Sequence, residues 1–160
     1  MLDTATKIQT LESAAGQVRQ WQAEGQKVVF TNGCFDIVHL GHIDYLEKAR
    51  ALGHKLVLGL NTDASVNRLK GPTRPVVNEY ARARMMAAFA FVDAVILFDE
   101  PTPLALIQTI CPDILVKGDD YSLQNIVGAD FVLANGGAVK TISLVAGYST
   151  TALIEKIKQL

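Results

Sequence analysis

Several things are scarce in this 160-residue chain, and each scarcity excludes something. There are only two cysteines, Cys34 and Cys111, far apart and without metal-ligand spacing. They read as free thiols of a reducing compartment, with no disulfide framework and no zinc site. There is no excess of either charge: fifteen Lys and Arg face sixteen Asp and Glu, a net charge of −1. That argues against wholesale binding to nucleic acid or to an anionic membrane surface. No apolar run approaches the roughly 18–20 residues of a membrane span. The opening MLDTATKIQT has no apolar signal core, so the expectation is a cytoplasmic protein. Gly-x-Gly-x-x-Gly after a strand, a P-loop and a Gly-x-Ser-x-Gly elbow are all missing.

What is present is a folded-domain composition, 49% hydrophobic and 19% charged. The length fits one domain with a core of its own. Extended and helical patterns alternate. KVVFTN (27–32), KLVLGLN (55–61), DAVILF (93–98), DILVKG (113–118) and AVKTISL (138–144) are strand candidates. They are uniformly apolar, as strands covered on both faces are. Helical stripes separate them. Ile8, Leu11, Ala15, Val18 and Trp21 predict an N-terminal helix over about 5–24, a stretch without a motif that packs on the sheet or on a second subunit. Leu40 to Leu52 forms a second helix. Asn78 opens a third, with Met85, Met86 and Phe89; Thr102 caps a fourth, and Ser149 starts the last. The pattern calls for an α/β fold: a Rossmann-like, doubly wound sheet of about five parallel strands with helices on both faces. Ligands of such sheets bind beyond the carboxyl ends of the strands. The 67–78 stretch, NRLKGPTRPVVN, reads as a mobile surface loop.

The strongest local signal follows the first strand: Thr31-Asn32-Gly33-Cys34-Phe35-Asp36-Ile37-Val38-His39-Leu40-Gly41-His42. A strand ends, a glycine permits a tight turn, and a helix opens whose first N–H groups attract anions. His39 and His42 share one face of that opening. Together they suit a phosphate clamp, the more so if protonated. A second helix opening, Gly147-Tyr148-Ser149-Thr150-Thr151, offers a cap and small hydroxyl donors, and the two openings could grip one triphosphate. Arg68, Lys70, Arg74, Arg82 and Arg84 stand against the single acid Glu79 in 67–84. Arg82 prolongs the Met85, Met86, Phe89 stripe, whereas Arg84 falls off it. Arg68, Lys70 and Arg74 lie on the irregular stretch, where a lid could bring them onto phosphates. Asn61 and Asp63 follow the second strand, and Lys117, Asp119, Asp120 and Tyr121 follow the fourth. Asp63 is equally a cap for a helix over 64–69.

GCFDIVHLGH resembles the GxFDxxHxGH motif of the nucleotidyltransferase superfamily that includes cytidylyltransferases and small adenylyltransferases. LNTDASVNRLKGPTRPV, VDAVILFDEPTP, PDILVKGDDY, NGGAV and YSTTALIEKI resemble the adenylyltransferase half of the bifunctional heptose 7-phosphate kinase/heptose 1-phosphate adenylyltransferases. The likeness runs from about Gln26 to Leu160, which leaves 1–25 as an N-terminal helical extension to a catalytic core over 26–160. One departure stands out. The heptose family commonly has KGGDY where this chain has KGDDY, and the GDD form is similar to the GDDW of glycerol-3-phosphate cytidylyltransferases.

The resemblance implies transfer of AMP from ATP to D-glycero-D-manno-heptose 1-phosphate, with Mg²⁺ bridging the ATP phosphates. It implies His39, His42, Arg82 and Lys117 as catalytic residues. It implies nucleotide contacts from Thr31, Gly33, Cys34, Phe35, Gly41, His42, Asp119, Asp120, Ser149, Thr150 and Thr151. Asn61, Asp63, Arg68, Lys70, Arg74 and Arg82 are then expected on the sugar phosphate. Asp36 is expected to brace the glycine turn or to lie near the metal. A homodimer and a separate upstream heptose kinase complete the expectation. The alternatives are a CTP-dependent enzyme for glycerol 3-phosphate or a similar alcohol phosphate, and a nucleotide-binding module without turnover.

Overall fold

The computed structural model describes residues 3–122 and 125–160. Five strands alternate with helices: α1 (Leu11–Ala23), β1 (Val28–Gly33), α2 (Leu40–Ala51), β2 (Lys55–Asn61), α3 (Asp63–Lys70), α4 (Glu79–Ala88), β3 (Ala94–Phe98), α5 (Leu104–Ile110), β4 (Ile114–Gly118), α6 (Ala129–Ala134), β5 (Ala138–Ile142) and α7 (Thr150–Lys158). The sheet order is β3-β2-β1-β4-β5, and every neighbouring pair is parallel. This is the doubly wound α/β fold expected from the apolar strands.

Alternate strand residues feed opposite faces. Val28 and Phe30 pack with Ala14, Val18 and Trp21 of α1, Ile107 and Ile110 of α5, and Val132 of α6. Val29 lies on the other side with Leu46 and Ala49 of α2 and Met86 and Ala87 of α4. Burial on both faces is why β1 to β4 read as apolar runs; β5, at the sheet edge, departs from that expectation and exposes Lys140 and Thr141.

The N-terminal segment differs from a single helix over 5–24. A 3-10 turn over Thr4–Lys7, capped by Asp3, comes first. Ile8 then bridges Val95 in parallel, and the Gln9 N–H donates to the Val95 carbonyl at 2.9 Å. Lys7 Nζ donates to the carbonyls of Phe89 and Val92. Ile8 therefore covers the edge of β3, and α1 begins at Leu11 behind the Thr10 cap. The helix packs on the sheet, sharing a core with β1.

The 67–78 stretch also differs. Thr62, not Asp63, caps α3: its Oγ1 accepts the Ser65 N–H at 3.2 Å. The helix runs on to Lys70, so Arg68 and Lys70 are helical, and the irregular segment begins only at Gly71, whose φ is 97°. At α5 the cap position is Pro103, one residue after Thr102. The short α6 has no counterpart in the sequence reading.

The sheet reverses direction of winding between β1 and β4. That pair is joined at only Val29–Ile114 and Phe30–Leu115, whereas β1–β2 is paired from Val28 through Gly33 and β4–β5 from Ile114 through Gly118. Beyond Phe30 the two central strands part, and a crevice opens at the switch point, where ligands of this fold class bind.

Candidate functional site

A cavity of about 540 Å³ occupies that crevice. Both helix openings reach it: His39, Gly41 and His42 line one side, and Ser149, Thr150 and Thr151 another. Three local devices build the first side. A Cβ on Gly33 would stand 2.8 Å from the Phe35 ring, so only glycine lets that ring fold back. Phe35 itself is buried at φ 45°, a left-handed conformation that a bulky residue holds only when its surroundings fix it. A Cβ on Gly41 would meet the His39 ring at 3.0 Å and Tyr148 Cβ at 3.4 Å. Glycine there allows His39 to lie flat over the α2 entrance and the chain before α7 to approach.

His39 occupies the α2 cap position, and its ring stacks on that of His42 at 3.8 Å between centroids and 22° between planes. Burial, with His39 alongside, holds His42 down at about 4, and burial lowers His39 too. Both shifts favour the neutral imidazoles over the protonated form that would bind phosphate more strongly. Nδ1 of each ring is buried without a hydrogen-bond partner among the described residues. On the opposite side, Ser149 caps α7 by accepting the Ala152 N–H at 3.0 Å. The Thr150 hydroxyl donates to the Ile37 carbonyl at 3.4 Å, which ties one helix opening to the turn before the other. Gly33, Cys34 and Phe35 line the floor. Burial raises the Cys34 thiol above its ordinary value even though Lys70, Arg82 and Arg74 pull it the other way.

The basic residues divide. Lys70, Arg74 and Lys117 line the cavity. Arg74 Nε donates to Asp36 Oδ2 at 2.6 Å. Burial would raise the Asp36 carboxyl, but the N–H groups of Val76 and Val77 together with Arg74 outweigh it and hold it below the ordinary range. Asp36 lines the cavity and braces the 74–77 segment with both oxygens engaged, rather than the glycine turn. Asn61 lines the cavity, with its amide donating to Ser65 Oγ at 2.9 Å. Lys117 Nζ donates to Asn32 Oδ1, and burial brings the amine down to about 8 against the opposing pull of Asp120 and Cys34. Asp120 and Tyr121 complete that wall.

Five expected contacts are not brought to the cavity. Arg82 is fully buried and spends its guanidinium on the protein: Nε on the Val77 carbonyl, Nη1 on those of Cys34 and Asn61, Nη2 on Asp63 Oδ1. It ties together three segments that frame the site, around Cys34, Asn61–Asp63 and Val77, and does not line the cavity. Asp63 is its partner and accordingly faces Arg82. Arg68, carried by α3, turns to Asp99 at 3.0 Å on the exposed surface. Thr31 is buried with its hydroxyl 2.7 Å from that of Tyr45. Asp119 follows the β4–β5 pairing, its N–H on the Ile142 carbonyl and its Oδ1 accepting the Leu144 N–H at 3.4 Å.

Lining residues overlooked in the sequence include Asn32, Tyr45, Leu69, Phe98, Pro101 and Tyr148. Asn32 and Phe98 stand at carboxyl ends of strands, and that rule alone would have found them. Among the described residues no three His, Cys, Asp or Glu side chains gather to hold a metal, and none of the helices is long and apolar enough to cross a membrane.

Residues 30–156 match the sequence model described as cytidylyltransferase-like. The chain is 54% identical over 155 residues to the bifunctional protein HldE of Magnetococcus marinus, which covers 97% of this chain and 32% of that protein. It is 56% identical over 147 residues to HldE of Azorhizobium caulinodans, covering 92% and 31%. It therefore spans about a third of the length of these curated relatives. Among solved structures, the lipopolysaccharide core biosynthesis protein of Thermoplasma volcanium superposes with a TM-score of 0.60 at 31% identity, over 76% of this chain and 98% of that one. Pantoate-beta-alanine ligase of Francisella tularensis, 13% identical, shares the fold with a TM-score of 0.57 over 96% of this chain and 78% of that one. The match of 127 consecutive residues (30 to 156) to one sequence model, over a fold with both helix openings in place, means that the chain belongs to the cytidylyltransferase-like family.

Proposed function

We propose that this chain is an adenylyltransferase that moves AMP from ATP onto D-glycero-D-manno-heptose 1-phosphate and releases pyrophosphate. The observation that carries the reading is that His42 and Thr150, on two different helix openings, line one cavity. Its volume of about 540 Å³ falls in the range of small-molecule sites. Extensive identity to the bifunctional HldE proteins supports the heptose branch.

The chemistry explains the residue types. A sugar 1-phosphate is already an anion at neutral pH, with a second pKa near 6, so attack on the α-phosphorus needs no general base. The site instead holds two polyanions in line and neutralises the charge that grows on the leaving pyrophosphate. In this reading His39 and His42 donate N–H to the α-phosphoryl group and the leaving oxygen. The Gly33–Phe35 turn supplies backbone donors near the α-phosphate, and Ser149, Thr150 and Thr151 hold β and γ. Lys70, Arg74 and Lys117 receive the sugar phosphate. Arg82 shapes the frame without touching substrate. Asp36 is saturated and Asp120 is the other carboxylate on the wall. That donor set fits a magnesium ion carried by the nucleotide's own phosphates, which would screen their charge. The reaction belongs to the cytoplasm, upstream of surface-glycan assembly, and a homodimer is the working form.

The GDD departure bears little on the choice of base. Asp119 lies outside the cavity, and its backbone is not in the left-handed region that would demand glycine. Pyrophosphate release from ATP or CTP, on a panel of heptose 1-phosphate anomers and glycerol 3-phosphate, tests the proposal. ATP with a heptose 1-phosphate is expected to give the highest kcat/KM. Preference for CTP and glycerol 3-phosphate would replace the substrate assignment, and tight ATP binding without release on any acceptor would make the chain a binding module.

A further inference from the structure

Where β1 and β4 part, one side chain reaches back across the gap. The offset that pairs Phe30 with Leu115 places Asn32 opposite Lys117. Lys117 Nζ donates to Asn32 Oδ1 and lies 3.5 Å from the Asn32 carbonyl oxygen. Both residues line the cavity. An ammonium has only donors, so the amide must present its oxygen. Among the described residues no carboxylate stands within 4 Å of this amine, in contrast to Arg74, which has Asp36 at 2.6 Å. The groups that face it are Asp120 after β4, Cys34 after β1, and the Tyr121 ring at 5.8 Å. A lysine side chain has four rotatable bonds, and an unheld one would have to be ordered at each binding event. A carboxylate in place of the amide would order it equally well but cancel its charge.

We propose that Asn32 is a positioning residue, whose amide oxygen aims the Lys117 ammonium across the β1–β4 crevice at a substrate phosphate while leaving the positive charge uncancelled. The inference deepens the reading above and rests on it for the identity of that phosphate. Asn32 itself does no chemistry; it acts through Lys117 by preorganisation.

The test compares the full chain with Asn32→Asp and Asn32→Ala. Lys117 is acetylated with acetic anhydride across a pH series, and its modification is read by peptide mass spectrometry. This readout needs no turnover. In the natural chain the half-modification point is expected near 8, the value set by burial against Asp120 and Cys34. Asn32→Asp is expected to raise it by about one unit or more, since an opposite charge favours the ammonium. Asn32→Ala is expected to lower it, since an acceptor of the charged form is gone. In pyrophosphate-release assays both variants are expected to lose about tenfold in kcat/KM: Asn32→Ala because one hydrogen bond to a charged group is gone, and Asn32→Asp because its carboxylate cancels the charge meant for the phosphate. The alkaline limb of each pH profile should move with the modification midpoint. Midpoints that coincide in all three proteins, or move in the same direction in both variants, would overturn the proposal. Activity of both variants equal to that of the natural chain would overturn it as well. Should the natural chain release no pyrophosphate from any pair, the functional reading fails separately, and the modification series still decides whether Asn32 controls the amine.

Discussion

The Thr150 hydroxyl donates to the carbonyl of Ile37 at 3.4 Å. That bond fastens the opening of the last helix to the turn that delivers His39, so residues distant in the chain become two jaws of one site. Each jaw is a helix opening with a cap residue at its lip. Gly41 permits the approach, since any side chain there would meet both the His39 ring and Tyr148.

Removing the deeper imidazole should damage turnover more than binding. His42→Ala loses a donor aimed at charge that develops in the transition state, a change that typically costs about 3–4 kcal/mol, or 10²–10³ in kcat. Steady-state kinetics should show that fall, with ATP affinity by calorimetry changed much less. Near-normal kcat would remove His42 from the clamp.

Gly41→Ala tests the packing behind the clamp. Its new methyl would stand 3.0 Å from two atoms of the His39 ring, and the ring would have to shift. Misplacing a reacting group by about 1 Å can cost on the order of 10²-fold in rate. The expected result is a large loss of kcat with a thermal midpoint close to that of the natural protein.

Arg82 and Arg68 should behave oppositely to a simple count of cations. Arg82→Ala leaves the buried carbonyl of Asn61 and the half-buried carbonyls of Val77 and Cys34 without their donor, and a buried group left unsatisfied costs about 1–3 kcal/mol. Denaturant unfolding should register a loss of at least about 3 kcal/mol. Arg68→Ala severs only a surface ion pair with Asp99, a kind of contact that contributes little. Its stability and its KM for either substrate should match the natural protein.

His42 also sets a pH dependence of stability. Its ordinary value of 6.5 falls to about 4 in the folded chain, chiefly through burial. Between those values the unfolded chain binds a proton that the folded one refuses, so stability falls as pH drops from about 6.5 to about 4. The lowering corresponds to on the order of 3 kcal/mol at most. Urea titrations at pH 7 and pH 4.5 should show the loss, and His42→Asn should lessen it.

Much of this was readable from residues alone because the signals are local. Uniform apolar runs mark strands buried on both faces, and a glycine turn followed by two histidines marks a helix opening at a strand end. The partners of Arg82 were not readable. Its spacing placed it on the buried stripe, but the carbonyls of Cys34 and Asn61 that take up its guanidinium come from the carboxyl-terminal ends of two different strands. The resemblance implies a place on the substrate, and in this structure the guanidinium meets Val77, Cys34, Asn61 and Asp63. Arg68 was misplaced for a different reason. α3 buries only Ser65 and Val66, too little for an apolar stripe, so Gly71, Pro72 and Pro75 made the whole stretch look irregular. Thr31 sits beside the right segment but faces Tyr45, since strand residues alternate, and Asp119, one residue past β4, accepts the Leu144 N–H instead.

The most direct measurement follows the backbone amides of Gly41 and Thr150 by NMR while a non-hydrolysable ATP analogue is added with magnesium. A single triphosphate held between both helix openings requires the two resonances to shift together, with one midpoint. A shift at only one of them, or two different midpoints, would contradict the account.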